Sequence, residues 1–487
     1  MSREDRIKLI LILSFWTLLL WEYPLFSQER FRKSPPYPEP LAELKLPEIE
    51  PFFLTNGLGV AVIRRSDLPV ISLRVIIFAG ESPSLRELPG MATLTANMVS
   101  RGVSYLTASQ IEEIIESVGG NFSIYTYPDY SVFSFTFLEE FLDNALDLMS
   151  KMMLQPTFLR REIENIKRIM YYDLREKNKD PEFVAERQLG RLLFRNHPYE
   201  KSTFNEDVIK NLNQRALVSF YDRYYRPNNS LFVLTGNLNL QTATRKVSRY
   251  FSTWRKKELV NPTNPPLEPY DKEKICLIDL PGQKDATIYL GNIVSPLRGQ
   301  DVFPFVVLNQ VLGGTHNSRL FMNLRESKGY AYYAFSELNF FKNCSVFFVK
   351  AKVRPEVTYP SIKEILREIE KITKEEIPSS EIEQAKSYLI GNFPLQIQTF
   401  DKLSSRISEI KALDLGEEHW SKYYENIMLV SSERVFEIAR KYPLLTPVVV
   451  IVGDKNIISD HIQEFEEVFV YNSKGILQYT IKKGEDE

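Results

Sequence analysis

Cysteine and histidine are scarce in this 487-residue chain: Cys276 and Cys344 are its only thiols, and His197, His316, His419 and His461 its only imidazoles. Two cysteines cannot make a disulfide framework. They sit in apolar, strand-like runs, so a single bridge and two buried free thiols are both open. Four scattered histidines leave little for a metal site. His461 starts an H-x-x-E, with Glu464, but Phe465 stands where a second histidine would be needed. A G-x-S-x-G elbow, a P-loop and a dinucleotide fingerprint are missing, which removes the usual serine-hydrolase, nucleotide-binding and nicotinamide readings. Neither sign of charge dominates: 61 Lys and Arg face 63 Asp and Glu, for a net charge of -2. With no long polybasic run, there is no electrostatic footprint for nucleic acid or a lipid surface.

An apolar run near the start, Leu9 to Leu20, follows Arg3, Arg6 and Lys8. It is short for a membrane span and reads as an export signal over residues 1–28, or as an uncleaved N-terminal anchor that would tether the chain to a membrane. Bulky Leu25 fits a small-residue cleavage site before Ser27 only loosely. Residues 29–51, with the run KSPPYPEP, read as an extended lead-in. The expected location is outside the cytoplasm, in the periplasm or cell envelope.

What remains is ample for two packed domains, since 44% of the residues are hydrophobic. Residues 57–80 alternate apolar and polar positions around the break Asp67-Leu68-Pro69, as two strands do. Met91, Leu94 and Met98 mark a helix. Thr107 with Gln110 forms a capping box for the next, which ends at Gly119-Gly120. Phe133, Phe135 and Phe137 alternate with small polar residues as a strand. Leu142, Leu146, Met149 and Met153 mark another helix, and a long charged helix covers about Leu159 to Lys179. A proline-rich linker follows, after which the plan repeats through Ile275–Asp279, Phe347–Ala351 and Val448–Gly453. The expected class is α+β: two homologous domains, each a mostly antiparallel sheet covered by helices, over residues 52–256 and 273–487 with a linker at 257–272.

Residues 313–336, GGTHNSRLFMNLRESKGYAYYAFS, carry the chemistry that composition does not. A Gly-Gly turn at Gly313-Gly314 leads into a helix containing Leu320, Met322 and Leu324, which stops at Gly329 before an aromatic strand. Arg325 falls on the last helical turn and Tyr332 in the strand, so a guanidinium and a phenol could face one cleft and donate to a carbonyl or a developing oxyanion. Each also has a plainer use: arginine complements a helix C-terminus, and tyrosine packs in strands.

This segment resembles the C-terminal domain of the insulinase/pitrilysin family of zinc peptidases, in the short two-domain branch that includes the mitochondrial processing peptidase. The resemblance extends over nearly all of the chain after Pro51. It includes Gly90 and Ala92, Gly119-Gly120, His197-Pro198-Tyr199, Tyr225, Pro227-Asn228-Asn229 and Gly236 in the first half. In the second half it includes Pro281-Gly282, Gly313-Gly314, Ser318-Arg319-Leu320, Leu324-Arg325-Glu326, Gly329 and Ser336. It implies that Arg325 and Tyr332 bind substrate and assist at the scissile bond, with Gly313 and Gly314 also contacting substrate.

The family's H-x-x-E-H falls here on Thr93, Ala96 and Asn97, none of which can bind zinc or activate water. The third ligand position aligns best with Asp173, with Glu176 nearby, and the family's Asn-Ala on the substrate-binding edge strand is replaced by Ser123-Ile124. The resemblance therefore implies a chain without its own metal or cofactor: a metal-free subunit whose partner, a zinc-bearing member with H-x-x-E-H, supplies the metal. The peptide substrate would lie as an added strand on a sheet edge within the chamber the two chains enclose. The alternative is an inactive scaffold or binding protein of the same fold.

Overall fold

The computed structural model describes residues 46–483, apart from 83–86, 203–205, 260–263, 295 and 417. The expected export signal or anchor, and most of the lead-in, lie outside the described residues. Numbering strands and the helices of nine or more residues, the first half contains β1 (Ile49–Phe53), β2 (Gly59–Arg64), β3 (Val70–Ile77), α1 (Met91–Val99), α2 (Ala108–Ser117), β4 (Asn121–Thr126), β5 (Ser131–Leu138), α3 (Leu142–Leu154), α4 (Arg160–Lys177), α5 (Pro181–Phe194), α6 (Gln214–Tyr224), β6 (Ser230–Gly236) and α7 (Leu240–Phe251). The second half contains β7 (Lys274–Asp279), β8 (Ala286–Val294), α8 (Val302–Gly313), β9 (Ala331–Phe340), β10 (Ser345–Val353), α9 (Thr358–Lys374), α10 (Ser379–Gln396), α11 (Phe400–Ala412), α12 (Ser432–Lys441), β11 (Val448–Gly453), β12 (Glu467–Asn472) and β13 (Leu477–Lys482). The capping box of Thr107 and Gln110 opens α2. Leu142, Leu146, Met149 and Met153 are buried along α3.

Each half builds one large sheet, the first half adding a two-stranded ribbon of Gly102–Val103 with Leu106–Thr107, and the two large sheets share a plan. The six-stranded sheet runs β1-β2-β6-β3-β5-β4 and the seven-stranded sheet runs β9-β10-β8-β11-β7-β12-β13. The order β2-β6-β3-β5-β4 is thus repeated as β7-β11-β8-β10-β9. Within that shared order one pair is parallel (β2 with β6, β7 with β11), and the second sheet adds a further parallel pair, β7 with β12. The break at Asp67-Leu68-Pro69 does not fold β2 back onto β3. Instead β6, some 150 residues later, inserts between them, parallel to β2 and antiparallel to β3.

The halves exchange helices. On α5, which belongs in sequence to the first half, Val184, Ala185, Leu189, Leu193 and Phe194 pack with Tyr289, Phe348, Val448 and Val450 of the second sheet. On α11, from the second half, Leu403, Ile407 and Ile410 share a core with Ile63, Ile76, Val132 and Val233 of the first sheet. Each such side chain contributes roughly 1.5–3 kcal/mol when fully buried. This explains why Ser134 and Arg74, on the face that alternation would leave to solvent, are buried. Ser134 donates to Asp401 at 2.8 Å, Arg74 lies 3.3 Å from the same carboxylate, and Ser404 donates to Thr235 at 2.8 Å.

The two equivalent hairpin turns also meet. Asp129, between β4 and β5, accepts from the Tyr199 hydroxyl at 2.7 Å and from the Lys342 backbone N–H, between β9 and β10, at 3.0 Å. Asn343 N–H donates to the Tyr199 oxygen at 3.2 Å.

Because each sheet is completed by a helix from the other half, the two halves should unfold together. Calorimetry is expected to record a single cooperative transition. Two resolved transitions, with either half surviving the melting of the other, would contradict the exchange as the main source of cohesion.

Candidate functional site

Helix α1 carries the three positions where the zinc motif would stand. Its N-cap is Gly90, at φ 78°, which has no side chain to satisfy the first turn. The carboxylate of Glu81 does so from a distance, accepting from the backbone N–H groups of Gly90 and Thr93 at 2.8 Å each and from the Thr93 hydroxyl. The Asn97 amide turns back onto the Thr93 carbonyl at 2.8 Å, and Ala96 is fully buried. Burial pushes the Glu81 carboxyl above its ordinary value, and its bonds to Thr93 and Gly90 offset this in part.

The position that aligns with the family's third ligand lies on the outer face of α4. Asp173 points outward and pairs with Lys177 at 2.9 Å, and Glu176 is exposed and pairs with Lys179 at 2.8 Å. The residues of that stretch of α4 that face the core are Met170 and Leu174, both apolar. Among the described residues no three His, Cys, Asp or Glu side chains converge as a metal site. The side chains around α1 do not fit a zinc ion. Elsewhere, the His197 ring is 4.5 Å from that of Tyr199, and His316 sits edge-on to Phe321 and Phe335. Buried His419 stacks on Phe303, and Phe465 beside the H-x-x-E of His461 is part of the core. Cys276 and Cys344 are both free and buried.

The second half departs from regular geometry at both predicted residues. The helix expected across Leu320, Met322 and Leu324 is α-helical only from Arg319 to Phe321. It then widens into a π-helix from Met322 to Ser327, which carries Arg325. Leu320 and Leu324 are buried, but Met322 is exposed. Asn323 bonds to Glu364 at 3.1 Å and to Glu368 at 2.7 Å, which holds this turn against α9. Gly329, at φ 62°, ends the helix, and the Tyr330 N–H closes onto the Leu324 carbonyl at 2.8 Å. Tyr332 then falls at a bulge: β9 pairs Ala331 with Val353 and Tyr333 with Lys352, leaving Tyr332 without a partner. Since β9 is an edge strand, the bulged phenol projects from the sheet, 56% exposed.

Arg325 and Tyr332 are therefore brought to one helix-to-strand corner, both accessible, with no hydrogen bond between them. The Arg325 guanidinium lies 4.8 Å above the Phe321 ring, with Glu326 at a loose 3.8 Å. Phe321 stacks on Phe335, and Phe335 stacks on Tyr333. The Tyr333 hydroxyl donates to Glu182 of α5 at 2.7 Å, which ties this aromatic ladder to the other half. The Lys352 ammonium is 5.9 Å from the Tyr332 ring centre.

Gly313 and Gly314 end helix α8 instead of opening the next one. A Cβ on Gly313 would lie 2.2 Å from the Ser336 nitrogen and one on Gly314 would lie 2.8 Å from Gln310 Cα, so both glycines permit close backbone approach. They also line a cavity of about 500 Å³ with His316, Phe335 and Tyr388. Sequence reasoning missed Glu81, Tyr333 and Glu182, because their roles depend on contacts far along the chain.

A repeated α+β half with exchanged helices and an exposed arginine–tyrosine corner define a two-sheet, peptidase-like fold, with no metal-ligating cluster among the described residues. Residues 60–207 match the family model described as insulinase (peptidase family M16), and residues 211–389 match the one described as peptidase M16 inactive domain. The chain belongs to the insulinase family. It is 22% identical over 394 residues to the uncharacterized zinc protease YmxG of Bacillus subtilis, covering 81% of this chain and 95% of that one. It is 23% identical over 362 residues to the non-peptidase homolog YmxG of Helicobacter pylori, covering 72% and 81%. Among solved structures it resembles a peptidase M16 inactive domain from Pseudomonas fluorescens, at TM-score 0.77 and 21% identity over 83% of this chain and 98% of that one. It also resembles the Escherichia coli periplasmic protease PqqL, at TM-score 0.72 and 14% identity over 85% of this chain and 48% of that one.

Glu81→Ala should destabilise the protein by about 2–4 kcal/mol in chemical denaturation, since two backbone donors and a hydroxyl lose their acceptor in a buried place. A loss under about 0.5 kcal/mol would show that Glu81 does not hold α1. The native carboxyl binds its proton more tightly than the unfolded chain does. Its contribution to stability is thus full below the ordinary value of 4.5 and is lost as pH rises through the native value. The stability of wild type relative to Glu81→Gln should fall as pH is raised from about 4.5. A flat difference would mean that the group titrates normally.

Proposed function

We propose that this chain is the metal-free subunit of a two-subunit insulinase-family peptidase, lending Arg325 and Tyr332 to the active site of a partner that carries H-x-x-E-H. The observation that carries the reading is the coincidence of a π-helix at Arg325 and a β-bulge at Tyr332, two local irregularities that present a guanidinium and a phenol from one sheet edge. The closed state of α1, where Glu81, Thr93 and Asn97 satisfy one another, supports the absence of zinc chemistry in this chain. The printed name of the H. pylori relative, a non-peptidase homolog, agrees with it. The N-terminal signal-like run and the periplasmic location of PqqL support an exported protein.

Zinc in the partner would supply the activated water. In this chain the Arg325 guanidinium and the Tyr332 phenol would hydrogen-bond the substrate carbonyl as it becomes an oxyanion. The peptide would lie extended against the sheet edge, its carbonyl held at the corner where β9 begins.

Tyr332→Phe and Arg325→Ala are each expected to lower turnover of the purified two-subunit complex by about 10²- to 10³-fold, with subunit association by size-exclusion chromatography unchanged. Unchanged turnover in both variants would remove the catalytic role and leave a scaffold of the same fold as the better account.

A further inference from the structure

The near-even balance of charge over the whole chain conceals a local excess. Residues 245–257, RKVSRYFSTWRKK, contain six lysines and arginines and no acid. They begin on helix α7 and run past its end at Phe251. Ala243, Val247 and Phe251 turn inward to the core of the first sheet, on the face opposite the one that α11 covers. Arg245 and Arg249, four residues apart, are left together on the outer face of α7, and Arg255, Lys256 and Lys257 are exposed beyond its end.

Some of this charge is answered within the chain. Asp143 pairs with Lys246 and attracts Arg249, Asp222 pairs with Lys257 and Arg226, and Glu258 follows the run. The side chains of Arg245, Arg255 and Lys256 make no ion pair or hydrogen bond among the described residues. A helix C-terminus accounts for Arg249, which lies in the last turn of α7, but not for the cations beyond it.

The turn between β1 and β2 is fastened to this stretch. The Asn56 amide donates to the Phe251 carbonyl at 2.8 Å and to the Trp254 carbonyl at 3.0 Å. Gly57 lies so near Asn228 that a Cβ on it would stand 2.9 Å from the Asn228 Cβ. Asn228 in turn brackets Lys257, donating to its carbonyl at 2.8 Å and accepting from its N–H at 3.3 Å. Phe53, at the entrance to that turn, is 77% exposed. The backbone thus holds a phenyl ring out to solvent close to cations that the chain leaves unpaired.

We propose that this face, Phe53 with Arg245, Arg249, Arg255 and Lys256, docks on the surface of an anionic phospholipid membrane. The cations meet the headgroup phosphates, and the ring enters the boundary between headgroups and acyl chains. The pairing of the two selects the occupant, because a soluble polyphosphate would satisfy the cations and offer the ring no hydrocarbon. The N-terminal run read as an export signal or anchor would bring the chain to such a surface.

The test mixes the full chain with vesicles of phosphatidylcholine, either alone or with about 30% phosphatidylglycerol, and reads partitioning by sedimentation at low salt. The N-terminal run inserts without regard to headgroup charge, so the measure is the ratio between the two kinds of vesicle. For wild type the ratio should be about 10²-fold, and it should fall about 5-fold for each cation removed by Arg245→Gln, Arg255→Gln and Lys256→Gln. Phe53→Ser should weaken binding to the anionic vesicles about 10-fold and leave retention on heparin unchanged. All four side chains are exposed, so each variant should keep the wild-type melting temperature, which separates lost docking from lost fold. Equal partitioning onto the two kinds of vesicle would overturn the proposal, as would a ratio that survives the three glutamine substitutions. A Phe53→Ser variant that binds anionic vesicles as wild type does would also overturn it, in favour of a soluble polyanion such as RNA.

Discussion

The constraint on which the rest of this structure depends is the exchange of α5 and α11 between the two halves. Neither sheet buries both faces with the helices of its own half. The second sheet takes Leu189, Leu193 and Phe194 from α5, and the first takes Leu403, Ile407 and Ile410 from α11. This coupling reaches the candidate site directly, because the residue after Tyr332 is fixed to α5 through the bond of Tyr333 to Glu182. The corner at Arg325 and Tyr332 is thereby fixed to the helix that packs on its own sheet. A site held this way is preorganised, which is what charge stabilisation at a developing oxyanion requires.

The repeated plan also locates where the two halves have diverged. In the first, the helix after β3 begins at a glycine and is capped by a carboxylate nine residues upstream. In the second, α8 runs directly into a close contact with β9, with Gly313 against Ser336. Thr93 and Asn97 are not simply weak ligands left exposed. Their polar groups are engaged by Glu81 and the helix backbone, and the neighbouring stretch of α4 turns apolar Met170 and Leu174 to the core. Histidines at positions 93 and 97 would break those bonds and take from Glu81 the hydroxyl it holds.

Most of the fold could be read from local pattern, because period-two alternation and capping chemistry are short-range. The strands at Phe133–Phe137 and Val448–Gly453, the capping box at Thr107 and the repeated order of elements all follow from residues within a few positions of one another. The family likeness picked out Arg325 and Tyr332 and the emptied zinc motif. What local pattern could not supply is long-range: the insertion of β6 between β2 and β3, the exchange of α5 and α11, and the cap from Glu81. Asp173 is one residue from Leu174, a turn of about 100°, and that separates an exposed ion pair from the core.

The π-helix and the bulge were equally invisible in sequence, yet they say most about the corner. Each replaces regular hydrogen bonding with a less favourable arrangement, and such features persist only where their surroundings over-determine them. Here Asn323 holds the π-turn to two glutamates of α9, Lys328 lies 3.4 Å from one of them, and Gly329 sets the exit. Beyond the bulge, Tyr333 is fixed by Glu182 and its stacking on Phe335. The supports hold the backbone around Arg325 and Tyr332, and among the described residues only Phe321 and a loose Glu326 meet the guanidinium. Were the two side chains only packing elements, a regular α-turn and an unbulged strand would have buried them at lower cost. The structure instead holds the backbone on both sides and leaves the guanidinium and the phenol accessible to a group from outside the chain.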